Sequence, residues 1–248
     1  MNARTLLIPS LLLALSLPSR AVEMTGNNPP DGLRGVLEAP TLFGRGPCTQ
    51  RSGGSYTLRA APSAGAPSVG TLEADPIPAG QNACSQDLLW PHLRKPGDAW
   101  SSPVPVREFK QGHPGLVLTE ARPGWVHVML GDGDAWLQMP PGSVTHDYGT
   151  IVVLSPVHTL RGWDGRLCAN PQPDQCRRMA MPSDPAVRID RVQTIGSEVW
   201  FKVTFGIGAC EGSAMPGRDV LQGWIPAYGA PGMDGKRPLT VWMDPHGC

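Results

Sequence analysis

The chain has no surplus of charge: 21 Lys and Arg residues stand against 21 Asp and Glu. That balance removes the electrostatic pull by which proteins gather nucleic acid or an acidic membrane surface. Familiar catalytic signatures are missing as well. There is no Gly-x-Ser-x-Gly elbow, no Gly-x-x-x-x-Gly-Lys phosphate loop and no His-Glu-x-x-His pair. Long helices are also excluded, because 30 Gly and 28 Pro interrupt every amphipathic run. Only short helical turns are expected, near Asp87 to His92 and near Gly217 to Leu221. Beyond the N-terminus no apolar run is long enough to span a bilayer.

What is present begins with an export-type leader. Met1-Asn2-Ala3-Arg4 is a short basic region, and Leu6 to Leu17 is apolar apart from Pro9, Ser10 and Ser16. Ser19-Arg20-Ala21 resembles a small-x-small cleavage site, so residues 1–21 read as a signal peptide. Removing Arg4 and Arg20 takes the basic count from 21 to 19 against 21 acidic residues, a balance of −2. No membrane insertion is expected after that removal. The expected location is periplasmic or secreted. Residues 22–44 read as a flexible leader, since Asn27-Asn28-Pro29-Pro30-Asp31-Gly32 favours neither helix nor ladder.

Six cysteines follow: Cys48, Cys84, Cys168, Cys176, Cys210 and Cys248. An even number behind a signal peptide reads as a set of disulfides. Six allow 15 connectivities. Pairing within each half gives Cys48–Cys84, Cys168–Cys176 and Cys210–Cys248. The Cys168-x7-Cys176 spacing does not suit zinc, and no histidine cluster completes such a site. No metal and no cofactor are therefore expected.

Strand signals dominate the rest. Ser55–Arg59, Gly115–Thr119, Trp125–Leu130 and Ala135–Leu137 alternate or open after turns, as do Gly149–Leu154, Ala186–Val192, Val199–Phe205, Gly223–Pro226 and Leu239–Met243. Many short strands between turn signals predict an all-β chain. Two stretches nearly repeat one another. Trp125-Val126-His127-Val128 is followed by Ala135-Trp136-Leu137, and Trp200-Phe201-Lys202-Val203 by Gly223-Trp224-Ile225-Pro226. A boundary at Pro140-Pro141-Gly142-Ser143 splits the chain into modules 45–142 and 143–248, with Glu73 to Val104 resembling an insertion.

With Arg59-Ala60-Ala61-Pro62 ahead of them, these motifs resemble the bacterial Src-homology-3-like domain, present as two divergent copies. The resemblance implies two small antiparallel barrels and non-catalytic binding, to cell-wall peptides or partner proteins. In so small a barrel, Trp125, Trp136, Trp200, Trp224 and Trp242 are expected to pack the cores. Trp90, Trp100 and Trp163 lie beside Gly and Pro without strand alternation. They are the expected ligand-binding residues, because an exposed indole stacks on apolar or proline-rich partners.

No catalytic residue is expected. His92, His113, His127, His146, His158 and His246 are scattered, and His127 points away from Val126 and Val128 on its strand. A Cys–His enzyme needs a free thiolate, which six bridged cysteines would not supply. Asp132 and Asp134 serve a Gly-rich turn rather than a calcium loop. The function expected is recognition of peptidoglycan or of an envelope protein. The alternatives are a periplasmic inhibitor or immunity-type protein, and a cell-wall hydrolase whose site has no sequence signature.

Overall fold

The computed structural model describes residues 32–43, 54–74, 90–98, 101–110, 113–131, 133–154, 157–160, 163–180, 186–206, 220–233 and 235–244. Among the described residues the chain is all-β apart from one short α-helix and a single 3-10 turn at Pro173–Gln175. The strands are β1 (Gly35–Glu38), β2 (Ser55–Arg59), β3 (Ser68–Ala74), β4 (Pro91–Arg94), β5 (Ser102–Pro103), β6 (Val106–Lys110), β7 (His113–Arg122), β8 (Trp125–Leu130), β9 (Gly133–Gln138) and β10 (Val144–Asp147). Helix α1 (Tyr148–Leu154) leads to β11 (Val157–Leu160), β12 (Arg166–Cys168), β13 (Cys176–Arg178), β14 (Ala186–Ile195), β15 (Glu198–Phe205), β16 (Leu221–Pro226) and β17 (Val241–Asp244). Among the described residues no helix is long and apolar enough to cross a membrane.

Two antiparallel sheets result. The first has the order β10-β1-β7-β8-β9-β2-β3-β4-β5, with β6 added beside β7. The second has the order β13-β12-β16-β15-β14-β11-β17. The strands therefore divide after Asp147, because Val144–Asp147 pairs with Gly35–Glu38 in the first sheet.

The second order repeats part of the first. Reading β10-β1-β7-β8-β9-β2-β3 against β17-β11-β14-β15-β16-β12-β13 gives the same neighbours in the same chain order. The register repeats too. Val126 faces Leu137 and His127 faces Trp136, while Phe201 faces Ile225 and Lys202 faces Trp224. Each copy has a β-bulge at the same place. The ladder jumps between Leu118 and Glu120 in β7, and between Ile189 and Arg191 in β14. A bulge admits one extra residue and bends its strand, so the two sheets curve at equivalent points. Strands β4, β5 and β6 have no counterpart, and they enter between β3 and β7.

Period-two alternation explains the cores. Val126, Val128, Ala135 and Leu137 point to one face of the first sheet, with Leu37, Leu58, Leu116 and Leu118. Their counterparts Phe201, Val203, Ile225, Leu167 and Val187 line the second core. That second core also takes Leu33, Val36, Phe109 and Val117 from the opposite face of the first sheet, together with Ile151 and Val152 of α1. The cross-strand pair Val36–Val117 thus meets the second sheet, and the adjacent pair Leu37–Leu116 meets the first core.

Three expectations are corrected here. Residues 32–43 are not a flexible leader: β1 is an interior strand, and Leu33, Val36, Leu37, Ala39, Leu42 and Phe43 are buried. Burial on both faces suppresses the alternation that marks a strand in sequence. Gly149–Leu154 lies in a helix rather than a strand. The Asp147 carboxylate accepts hydrogen bonds from the Thr150 amide at 2.8 Å and from its hydroxyl at 3.1 Å, capping the first turn. The helix is then fixed by packing, since the Tyr148 amide donates to Arg34 O and the Tyr148 hydroxyl to Val241 O. A Cβ on Gly149 would come within 2.8 Å of Val192 Cγ1, so only Gly allows this approach of α1 to β14 without a shift. The described part of the turn expected at Asp87–His92 is extended, with Pro91 and His92 opening β4. The signal segment 1–21 and Gly217–Asp219 lie outside the described residues.

Leu37→Ala removes a fully buried side chain from an interior strand. Urea unfolding is expected to show a loss of about 2–5 kcal/mol, with the m-value unchanged.

Candidate functional site

The repeated register places one line of side chains across the outer face of each sheet. In the first sheet, Glu120 faces His127, His127 faces Trp136, and Trp136 faces Arg59. In the second, Arg191 faces Lys202, Lys202 faces Trp224, Trp224 faces Cys168, and Cys168 faces Cys176. These are the same backbone positions with different chemistry.

The first line is internally satisfied. The His127 and Trp136 rings lie 4.7 Å apart, and Thr119 Oγ1, on the bulge, lies 2.8 Å from His127 Nδ1. The Arg122 guanidinium lies 4.9 Å over the Trp136 ring while its Nε donates to Glu120 at 2.6 Å. Trp136 is left 7% exposed beneath them.

The second line is bridged and cationic. Cys168 and Cys176, directly opposite on β12 and β13, form a disulfide that packs on Trp200 and Trp224. The two indoles are only 4% and 8% exposed. On the bulge, Asp190 accepts hydrogen bonds from Thr204 at 2.5 Å and from Arg188 at 2.7 Å. Gln222 donates to Thr204 Oγ1 at 3.1 Å. Arg191 and Lys202 share in none of this and make no ion pair among the described residues. Arg166 and Arg178 face each other beside the disulfide, and Arg166 is held by Asp164 at 2.5 Å.

The tryptophans divide differently from the sequence expectation. Trp136, Trp200 and Trp224 are buried, but against the outer face rather than inside the two main cores. The reason is the strand period: if Val126 and Val128 point inward, Trp125 must share the face of His127. Trp242 does lie in the second core, with the Arg107 guanidinium 4.0 Å over its ring.

Of the three expected ligand tryptophans, Trp90 is half-buried against the first core just ahead of β4. Trp163 is a core residue instead. It is 6% exposed, stacked on Phe205 at 5.4 Å, and its indole N–H donates to Arg166 O at 2.8 Å. Burial of both the ring and its one donor leaves no open stacking surface there. Trp100 lies outside the described residues, as do Cys48, Cys84, Cys210 and Cys248. Trp90 and Trp163 belong to different clusters.

One polar cluster was not singled out in the sequence. The Glu38 carboxylate binds two imidazoles, His113 Nδ1 at 3.2 Å and His146 Nε2 at 3.0 Å. Phe109 lies beside both rings, at 6.1 and 4.7 Å. Strands β7, β1 and β10 bring these groups together as diagonal neighbours on one face, although 75 and 108 residues separate the histidines from Glu38. Burial pushes the Glu38 carboxyl up, but the hydrogen bonds and charge of His146 and His113 outweigh it, leaving it below the ordinary carboxylate range. Elsewhere, hydrogen bonding from Arg237 at 2.8 Å holds Glu198 low against a smaller effect of burial. Among the described residues no group of three or more His, Cys, Asp or Glu is arranged to hold a metal ion.

Searches of protein-family models, of curated proteins and of solved structures find no match to this chain.

Replacing Cys168 and Cys176 together by Ala removes a constraint on a short loop. The chain-entropy relation gives a loss of about 2.5 kcal/mol, read by urea unfolding. A second outcome follows from Glu38. Its folded carboxyl lies below its unfolded value, so its stabilisation is complete above the unfolded value and is lost as pH falls through the folded one. Stability on acidification below the ordinary carboxylate range is expected to fall less steeply in Glu38→Gln than in the parent chain.

Proposed function

We propose that this chain is an exported, non-catalytic recognition protein of the bacterial envelope. In this reading it consists of two divergent barrels of the Src-homology-3-like type and binds peptidoglycan or an envelope protein. One observation carries it: the seven-strand path, its bulge and its register occur twice, while the outward line differs from Glu120-His127-Trp136-Arg59 to Arg191-Lys202-Trp224-Cys168. A frame kept in register, with different side chains on the face away from its core, is the arrangement a duplicated binding module presents. The Cys168–Cys176 bridge supports an oxidising compartment such as the periplasm.

The inhibitor or immunity-type reading draws support from Arg191 and Lys202. Facing cations with no ion pair among the described residues complement an acidic protein surface better than a neutral glycan.

Purified full-length chain should co-sediment with isolated cell-wall sacculi, or should capture one envelope protein from a periplasmic extract at stoichiometric yield. Finding the protein confined to the cytosolic fraction with Cys168 and Cys176 reduced would overturn the proposal. So would finding neither sedimentation nor capture.

A further inference from the structure

We infer that Cys168–Cys176 is a site of reversible thiol–disulfide exchange, entered at Cys176 by the thiolate of a dithiol protein. The two sulfurs differ in access. Cys168 lies on β12, between β13 and β16, and is 1% exposed against Trp200 and Trp224. Cys176 lies on β13 at the end of the sheet and is only half-buried. Among the described residues no strand pairs with the far side of β13. Attack on a disulfide sulfur comes from the side opposite the bond that breaks and forms a mixed disulfide. For Cys176 that side opens off the sheet edge, whereas for Cys168 it runs into β16 and Trp224. Arg166 and Arg178 form the next cross-strand pair on the face of the bridge. Asp164 holds Arg166. Arg178 is exposed, makes no ion pair among the described residues, and favours the approach of a thiolate anion.

The ladder does not need this bridge to form. At the equivalent place in the first sheet Trp136 faces Arg59 and Arg59 faces Ser68, with no covalent link. The loop that joins β12 to β13 also carries its own ties. Asn170 Nδ2 donates to Gln175 Oε1 at 2.7 Å, Gln175 Nε2 donates to Gln172 Oε1 at 2.9 Å, and the Ala169 amide donates to Gln175 O at 3.1 Å. These bonds keep the two sulfurs opposite one another when the bridge is open. Gln172 O lies 3.4 Å from Cys176 Sγ and can accept the thiol proton once it forms. In the exchange the donor thiolate bonds to Cys176 Sγ, the S–S bond breaks, and its electron pair leaves on Cys168 Sγ, which takes a proton. The donor's second thiol then loses its proton, attacks the donor's own first sulfur and releases Cys176 as a thiol. Two electrons and two protons pass from the dithiol to the chain, and a protein disulfide runs the same exchange backward.

The test uses the full oxidised chain in native buffer and a thioredoxin-type dithiol protein, with differential alkylation and mass-spectrometric mapping. A form of that protein with its second cysteine replaced by Ser traps the mixed disulfide under acid quench. The link is expected on Cys176, with Cys168 left open to alkylation. The intact dithiol protein is expected to make both thiols alkylable. Arg178→Glu is expected to slow trapping several-fold at low salt, with the difference shrinking as salt rises. A link on Cys168 would overturn the inference, as would a pair that neither links to the trap nor becomes alkylable until the chain is unfolded in urea. After reduction, oxidised glutathione is expected to restore Cys168–Cys176. Two persistent thiols, or pairing of either with Cys48, Cys84, Cys210 or Cys248, would overturn it too. The double variant Cys168→Ala, Cys176→Ala is expected to keep the parent's circular-dichroism spectrum at a lower urea midpoint. The spectrum of an unfolded chain would make the bridge structural and overturn the inference. None of these outcomes depends on whether the chain binds wall or envelope protein.

Discussion

The double burial of β1 is the constraint on which the arrangement depends. Four residues, Gly35 to Glu38, lie between β7 and β10 and present a different side chain to each of two cores. Val36 packs toward α1 and the second sheet, Leu37 packs into the first, and Glu38 ends the strand between two imidazoles. Gly35 completes this, because a Cβ there would lie 2.2 Å from His146 O. Displacement of this strand would expose the underside of both hydrophobic clusters at once. It would also separate the strands that carry His113 and His146.

Helix α1 works with β1 as the hinge piece. Its Asp147 cap belongs to the last strand of the first sheet, and its apolar residues belong to the core of the second. Tyr148 binds both sides, through its amide to Arg34 and through its hydroxyl to Val241. Burial, together with the like charge Tyr228 would carry, raises its phenol well above the ordinary range, so it stays a neutral donor. Arg34 and Arg237 lie 4.7 and 5.7 Å from the Tyr228 ring, and Arg237 bonds to Glu198. The junction of the sheets is thus an apolar seam with a charged margin.

How much of this was legible depended on whether a local signal reached the sequence. Strand β8 alternates cleanly, and it and β15 were readable to within a residue; the tryptophan-bearing partners that follow were readable as strands, but each begins two residues earlier than its sequence signal, at Gly133 and Leu221. Eight residues of separation made Cys168 and Cys176 the most local of the possible bridges. Strand β1 was not legible, because a short strand buried on both sides shows no period and follows a Pro- and Asn-rich stretch. The Ile151-Val152-Val153 run looks like a strand, yet Asp147 and Thr150 already spelled a helix cap that outweighs β-branching when packing assists. The face of Trp136 followed from His127 by simple alternation. Trp163 misled because Gly162 and Asp164 suggest an open loop, whereas its ring covers Phe205. The Glu38 cluster is joined only by the order of strands β7, β1 and β10, which no local pattern encodes.

Repetition of one ladder register within a single chain also creates a hazard during synthesis and refolding. Segments with interchangeable hydrogen-bonding partners can be exchanged between the halves, giving misassembled or strand-swapped products. The extra strands β4, β5 and β6 and the covalent link across β12 and β13 occur in one half each, and so make the two halves unlike. These asymmetries distinguish the two halves and so work against scrambling of the doubled architecture.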